Sequence, residues 1–220
     1  MADITLLDGG LGQEVYRRSG EPAHPLWSLE VMRHSPEIVR GVHADFIRSG
    51  ARILTLNTYT ATPARLARDG EADWFEPLQR DAYAIADAAR EETGCPYGPV
   101  RLAGCLPPLV GSYSPDSAPP YAECLSQYRE IVAVQPDVDL FLCETIPSIE
   151  EGRAAVEAAA SSGKPVLLSF TLSDDGSNTL RSGEPVGDMV EAVRDLPLDA
   201  LLFNCSTPET IRRALPSLRD

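Results

Sequence analysis

Lysine is almost absent from the sequence, since Lys164 is the only one in 220 residues. It precedes an apolar run, which argues against the Schiff-base lysine that many barrel lyases and aldolases place after a strand. The three histidines, His24, His34 and His43, are confined to the N-terminal region, and no HExxH motif occurs. These shortages argue against a Cys/His nucleophilic pair and a histidine-rich metal site.

Positive charge is also scarce, because 19 Lys and Arg face 33 Asp and Glu, for a net charge of -14. Such a surface repels phosphate backbones and anionic lipid, so neither nucleic acid nor a membrane is expected as a partner. No apolar run reaches the length of a membrane span, and no signal-peptide pattern follows Met1. The five cysteines form no CxxC pair, which favours a reducing cytoplasm over a disulfide framework.

Six short apolar runs alternate with helical patterns along the chain. Most of them are nearly continuous in apolar character, as is typical of parallel strands covered on both faces. The runs are Ile4 to Leu7, Arg52 to Leu56, Val100 to Ala103, Val138 to Cys143, Val166 to Phe170 and Ala200 to Phe203. About six βα units predict an α/β fold in one domain over residues 1–220, and the pattern leaves open a barrel or an open doubly wound sheet.

Helix starts are marked by hydroxyl residues. Ser35, Thr62 and Thr207 each stand before a proline, which predicts a capping hydroxyl and a first-turn proline. Ser148 with Glu151 fits a capping box.

Both α/β architectures place their chemistry at the carboxyl ends of strands. Asp8, Gly9 and Gly10 follow the first run, where glycine permits close backbone approach to a ligand and exposed N–H groups suit a carboxylate. The alternatives are a simple turn in which Asp8 accepts backbone N–H bonds, and a dinucleotide fingerprint, which Val15 breaks.

Three further polar residues follow later strands. Asn57 suits an amino-acid substrate or an Asx-type turn. Glu144 ends the most apolar run, and it suits a substrate ammonium or a salt bridge to an arginine. Cys205, beside Asn204, suits a zinc thiolate, a nucleophile or a small buried side chain. Cys105 and Cys143 are interpreted as packing cysteines.

Taken in order, the strand ends resemble those of the homocysteine S-methyltransferases, a family with betaine-, S-methylmethionine- and folate-linked members. The resemblance extends over nearly the whole chain. The segments that carry it are Leu6-Leu7-Asp8-Gly9-Gly10-Leu11-Gly12, Leu56-Asn57-Thr58-Tyr59, Ala103-Gly104, Cys143-Glu144-Thr145-Ile146, Leu168-Ser169-Phe170 and Phe203-Asn204-Cys205.

The resemblance implies a (β/α)8 TIM-type barrel with one zinc ion, for which Cys205 would be a ligand. It also implies an adjacent Cys-Cys pair after an eighth strand. This sequence has no such pair, so we expect a homocysteine-binding barrel domain that is incomplete at its C-terminus. Asp8, Gly9, Gly10, Asn57 and Glu144 would bind substrate, and no residue is assigned as catalytic.

The activity implied is transfer of a methyl group to the zinc-bound thiolate of homocysteine, giving methionine. The resemblance implies an onium donor, S-methylmethionine or S-adenosylmethionine, with betaine second. The alternative is a non-catalytic barrel fragment that binds an amino acid or a partner chain. The sequence leaves the oligomeric state open.

Overall fold

Strands and helices alternate along the chain, as the sequence predicts, in a computed structural model that describes residues 4–22 and 24–218. The helices are α1 Leu11–Ser19, α2 Ser28–His34, α3 Pro36–Arg48, α4 Pro63–Arg68, α5 Phe75–Glu92, α6 Tyr121–Ala133, α7 Ile149–Ala160, α8 Val186–Val193 and α9 Pro208–Ala214. The strands are β1 Ile53–Thr55, β2 Arg101–Leu106, β3 Leu140–Ile146, β4 Val166–Phe170 and β5 Ala200–Phe203. The α/β fold class is therefore confirmed.

The main difference between the predicted and the observed strands concerns the first predicted strand. Ile4 to Leu7 is not a regular strand, because only Leu7 forms a bridge, parallel to Ile53. Hydrogen bonds from Arg52 N–H to Leu6 and from Asp8 N–H to Ile53 flank this bridge. Ile4 and Leu6 remain 83% and 51% exposed, so most of the run lacks the apolar cover that a buried parallel strand requires.

The chain divides into two compact units, the first of which comprises residues 1–105 and 133–140. Its strands β1 and β2 pair in parallel, with Ile53 opposite Arg101 and Thr55 opposite Ala103. Strand β1 is buried along its whole length, and helices α1, α2, α3 and α5 pack with one another in the same unit. The core of this unit is thus largely helix against helix around a short parallel pair.

His43 is fully buried on the inner face of α3. Neither of its ring nitrogens has a hydrogen-bond partner among residues 4–22 and 24–218. Burial lowers the pKa of His43 from 6.5 to about 4, because the cationic ring would be stripped of water. The imidazole is therefore neutral at neutral pH and packs as a core side chain.

The second unit comprises residues 106–132 and 141–220. Here β4 pairs in parallel with β3 on one side and with β5 on the other. The β3–β4 register shifts between Cys143 and Ile146, which marks a bulge. Because a bulge changes the direction in which side chains point, this irregularity bears directly on the residues that follow Cys143.

Hydroxyl caps begin the helices at three of the four predicted places. The side chains of Thr62, Thr207 and Ser148 accept hydrogen bonds from backbone N–H groups of the first turns of α4, α9 and α7. Ser35 precedes α3 without a side-chain cap, so that part of the prediction is wrong.

In the described part of the chain, no helix combines the length and apolar character needed to cross a bilayer.

Helix α7 lies so close to the sheet of the second unit that Gly152 has no room for a side chain. A Cβ atom at Gly152 would lie 2.9 Å from Cζ of Phe170 and 3.3 Å from Cγ2 of Ile146. This glycine therefore sets the distance between helix and strand.

We predict that buried His43 makes folding sensitive to acid. Its pKa in the folded state, about 4, lies below the unfolded value of about 6.5, so the unfolded chain binds the extra proton between these values. Its contribution to the free energy of unfolding is present above pH 6.5 and falls by about 3 kcal/mol as the pH drops to 4. Urea unfolding measured from pH 7 to pH 4 should show that the free energy of unfolding falls less steeply with pH in His43→Leu than in the wild type. His34→Leu, at an exposed position, should keep the wild-type slope; equal slopes in all three proteins would contradict this origin.

We predict that Gly152→Ala lowers the free energy of unfolding by about 1–2 kcal/mol, since overpacking outweighs the better helix propensity of alanine. Gly187→Ala in α8 is the matched control, because a Cβ there meets no atom within 4 Å. The control should be neutral or stabilising in the same urea titration. A stabilised Gly152→Ala protein would show that α7 can move away from the sheet without cost.

Candidate functional site

The bulge in β3 shapes the first part of the candidate site in the second unit. Thr145 adopts φ 59°, an unusual value for a β-branched residue, and it is fully buried. Its neighbour Glu144 is partly exposed, whereas the other residues of β3 are buried. Glu144, the predicted substrate-binding carboxylate, therefore lies within the segment between Cys143 and Ile146 where the β3–β4 register shifts.

Asn204 holds the ends of three neighbouring strands of this unit through its carboxamide. The oxygen accepts hydrogen bonds from the N–H of Thr145 at 2.9 Å and the hydroxyl of Ser169 at 2.9 Å. The nitrogen donates to Oγ1 of Thr145 at 2.9 Å and to Sγ of Cys205 at 3.5 Å. With four such contacts, Asn204 has one well-defined orientation.

The sulfur of Cys205 has two hydrogen-bond donors beside it. Nδ2 of Asn204 and Oγ1 of Thr145 each lie 3.5 Å from Sγ. Cys205 is exposed and adopts φ 48°, so it is a second strained residue beside Thr145. The thiolate is the form of cysteine that binds metals.

Tyr113 is a neighbour of the sulfur that sequence reasoning missed. It lies in the loop between β2 and α6, with φ 60°. The guanidinium carbon of Arg181 lies 4.9 Å from the Tyr113 ring centroid, and Nη2 of Arg181 donates to Asp174 at 2.8 Å. Burial and the adjacent sulfur of Cys205 raise the pKa of Tyr113 to about 12, so its hydroxyl remains a donor. No strand-end signal marks a residue in the middle of a loop.

A buried carboxylate anchors the start of the Tyr113 loop. Glu151 is 2% exposed, and Oε1 accepts hydrogen bonds from the N–H of Leu109 at 2.9 Å and the hydroxyl of Tyr128 at 3.1 Å. The same hydroxyl lies 2.9 Å from the carbonyl oxygen of Pro107, to which it can also donate. The loop is thus fixed several residues before Tyr113.

The remaining predicted site residues lie in the first unit. The carboxylate of Asp8 accepts hydrogen bonds from N–H of Thr55 at 2.7 Å and from its hydroxyl at 3.0 Å. The sequence also suggested a simple turn in which Asp8 accepts hydrogen bonds from backbone N–H groups. Asp8 does accept one from a backbone N–H, but that group belongs to strand β1 and not to the turn itself. A Cβ at Gly9 would lie 2.9 Å from the Phe46 ring, which explains why glycine stands there. Gly10 is exposed and caps α1 without a side chain.

Asn57 is 3% exposed and bonded to a single neighbour in α2. Its oxygen accepts from the hydroxyl of Ser28 at 2.7 Å, and its nitrogen donates to the Ser28 carbonyl at 3.1 Å. These contacts tie the end of β1 to α2. These bonds satisfy the Asn57 amide without an Asx turn or a bound ligand. A role in substrate binding stays a prediction for Asn57, and also for Asp8, Gly9, Gly10 and Glu144.

The residues fit one thiolate ligand of a metal site. Cys205 offers an exposed sulfur among oriented donors, whereas Cys105 and Cys143 are buried, as expected of packing cysteines. A zinc site takes three or four protein ligands. Within residues 4–22 and 24–218, no group of three His, Cys, Asp or Glu side chains is placed to share an ion. Cys205 is therefore the residue that fits a metal ligand here, and it does so without a cluster of three around it in the described ranges.

Parallel βα units with polar residues at their strand ends define this chain as an α/β protein. The homocysteine S-methyltransferase family profile matches residues 5–220. The chain is 31% identical to a homocysteine S-methyltransferase of Escherichia coli strain K12, over 98% of this chain and 74% of that protein. It is 27% identical to betaine–homocysteine S-methyltransferase 1 of Danio rerio, over 88% and 48%.

Solved structures agree with the sequence comparison. The metallated form of the homocysteine methyltransferase MmuM from Escherichia coli superposes with a TM-score of 0.87 at 32% identity, over 98% of this chain and 79% of that one. The chain belongs to the homocysteine S-methyltransferase family, and the resemblance seen in its strand ends is confirmed. A metal is suggested by the metallated relative.

We predict that Asn204→Ala lowers the free energy of unfolding by about 2–4 kcal/mol, because several part-buried partners lose their contacts at once. Ser169→Ala should cost about 1 kcal/mol, since it removes one of the same hydrogen bonds. Urea unfolding of both variants measures the difference. Equal effects would mean that the carboxamide is not the main connection between these strand ends.

Proposed function

We propose that the protein transfers a methyl group from an onium donor to the sulfur of homocysteine, giving methionine. The support is its family, together with the exposed Cys205 sulfur set among hydrogen-bond donors at a strand end. In the reaction the homocysteine sulfur bonds to the methyl carbon while the bond from that carbon to the donor breaks. The bonding electrons return to the donor atom, which becomes neutral, and the thiol proton is released.

In this proposal Cys205 is a ligand to zinc. When bound, zinc would lower the pKa of the homocysteine thiol, so that thiolate is present near neutral pH. The residues of this chain would orient the ligand: Asn204 and Thr145 hold the Cys205 sulfur, and Asn204 is itself held by Ser169. Further zinc ligands would have to come from groups other than the described residues.

The other predicted residues complete the proposal for substrate binding. Glu144 is partly exposed at the β3 bulge, which suits a carboxylate that binds the homocysteine ammonium. The Gly9 and Gly10 backbone before α1 suits the amino acid's carboxylate. For Asp8 and Asn57, the contacts with Thr55 and Ser28 favour a role in shaping the backbone around the substrate.

We propose S-methylmethionine or S-adenosylmethionine as the donor, with betaine second. This order rests on the family resemblance alone. The five free cysteines suit a reducing cytoplasm, which we include in the proposal.

A non-catalytic role in amino-acid binding is the second candidate. One observation favours it: among the described residues no three His, Cys, Asp or Glu side chains are placed to share an ion, whereas a zinc site takes three or four protein ligands. The two candidates differ in turnover, since both allow homocysteine to bind.

We predict that Cys205→Ser lowers zinc binding and methionine formation by at least about a hundredfold, because the hydroxyl replaces the thiolate that zinc prefers. The assay is methionine formed from homocysteine and S-methylmethionine with zinc present, alongside zinc content after dialysis. Cys95→Ser, in the first unit, is the matched control and should behave like the wild type.

Unchanged zinc content in Cys205→Ser would exclude Cys205 as a ligand. If the wild-type chain binds homocysteine but forms no methionine from any of the three donors, the non-catalytic candidate is supported instead. Isothermal titration with homocysteine separates the two results.

A further inference from the structure

Residues 171–185, between β4 and α8, form a small hairpin that is tied to a neighbouring helix. Leu172 and Leu180 form an antiparallel bridge within this hairpin. Near its end, Oε2 of Glu184 accepts a hydrogen bond at 2.9 Å from the N–H of Ile149, the first residue of α7. Both connections lie within the second unit, so the hairpin is an ordered element that can support the chain segments beside it.

The hairpin holds the backbone at Cys205. The Cys205 carbonyl oxygen accepts a hydrogen bond from Oγ1 of Thr171 at 3.2 Å and a second from Nη2 of Arg181 at 3.5 Å. Oγ of Ser206, the next residue, accepts one from the N–H of Leu172 at 2.8 Å. Cys205 has φ 48°, a conformation that is unfavourable for a residue with a side chain. The contacts with the hairpin therefore maintain a backbone conformation that the segment does not favour by itself.

Asp174 connects the hairpin to Thr207, the residue that caps α9. Oδ1 of Asp174 accepts a hydrogen bond from the N–H of Thr207 at 2.9 Å, and Oδ2 accepts one from Nη2 of Arg181 at 2.8 Å. The bond from the Thr207 N–H lowers the pKa of Asp174 below its usual value, so the side chain is a carboxylate at neutral pH. The segment from Asn204 to Thr207 is thus fixed at both ends, by the Asn204 carboxamide and by Asp174, with Cys205 between them.

We propose that Asp174 is a positioning residue for the Cys205 sulfur, and that it acts by accepting the hydrogen bond from the Thr207 N–H. This inference rests on the proposed function, in which Cys205 is a metal ligand. Without that hydrogen bond, the turn after β5 can relax toward commoner backbone conformations that move the sulfur. If only a fraction of the protein then keeps the sulfur beside Asn204 and Thr145, the apparent affinity for a thiophilic metal falls by that fraction.

The test is the affinity of the whole chain for Cd²⁺, followed by the ultraviolet charge-transfer absorption of the cadmium–thiolate bond. We expect Asp174→Ala to bind Cd²⁺ about threefold to tenfold more weakly, the range for loss of one hydrogen bond. Asp174→Asn keeps an oxygen for the Thr207 N–H, so its affinity should stay within about twofold of the wild type. Asp174→Glu keeps the charge but moves the oxygens away by a methylene group, so it should be weakened like the alanine variant.

Asp175→Ala is the matched control, because it removes an equal charge from the same hairpin. Oδ1 of Asp175 accepts its hydrogen bond within the hairpin, from the N–H of Ser177 at 2.9 Å. This variant should bind Cd²⁺ like the wild type. A merely structural role for Asp174 would lower the melting temperature of Asp174→Ala in circular dichroism and leave the Cd²⁺ affinity of the folded protein unchanged.

The possible failures differ in pattern. Unchanged Cd²⁺ affinity in folded Asp174→Ala, with binding lost in Cys205→Ser, overturns the positioning role and leaves the proposed function intact. Equal weakening in Asp174→Asn and Asp174→Ala traces the effect to charge and overturns the role of the Thr207 N–H. No Cd²⁺ binding by the wild type, or binding unchanged in Cys205→Ser, overturns Cys205 as a ligand and the positioning role with it. Should Asp174→Ala not fold, the comparison of Asp174→Glu with Asp174→Asn decides the same question.

Discussion

The carboxamide of Asn204 is the interaction on which the site in the second unit depends. Parallel strands satisfy their backbone groups along the ladder, but the ladder stops at the strand ends, where other partners are needed. Asn204 meets this need for Thr145 and at the same time binds Ser169 and the Cys205 sulfur. Because one amide orients both the bulge of β3 and the thiol after β5, the strained backbone at Thr145 and Cys205 can persist.

The fold and two residues of this site, Glu144 and Cys205, could be predicted from the sequence for one physical reason. Buried parallel strands must be apolar, so the polar residue that follows each run stands out, as Glu144 and Cys205 do. The run from Ile4 to Leu7 is equally apolar, but it is largely exposed. Composition does not reveal which apolar runs are covered by other elements on both faces. Tyr113 could not be predicted at all, because its position depends on a loop conformation and on a stack with Arg181.

The first unit shows how a motif residue can be built into the scaffold. Asp8 and Asn57 each satisfy two hydrogen bonds with one partner, Thr55 and Ser28 respectively. Breaking such a pair leaves a donor or an acceptor without a partner, which is costly where the group is buried, as Asn57 is. In the second unit Glu144 is partly exposed and lies at a bulge.

The loop after β2 takes its rigidity from a buried side chain. Glu151 is buried and anchors Leu109, so the start of this loop is as firm as the sheet beside it. Beyond that anchor the loop reaches Tyr113, whose ring lies 4.9 Å from the Arg181 guanidinium carbon. The strand ends and this anchored loop thus fix the residues near the Cys205 sulfur, and the Asn204 carboxamide orients the sulfur itself.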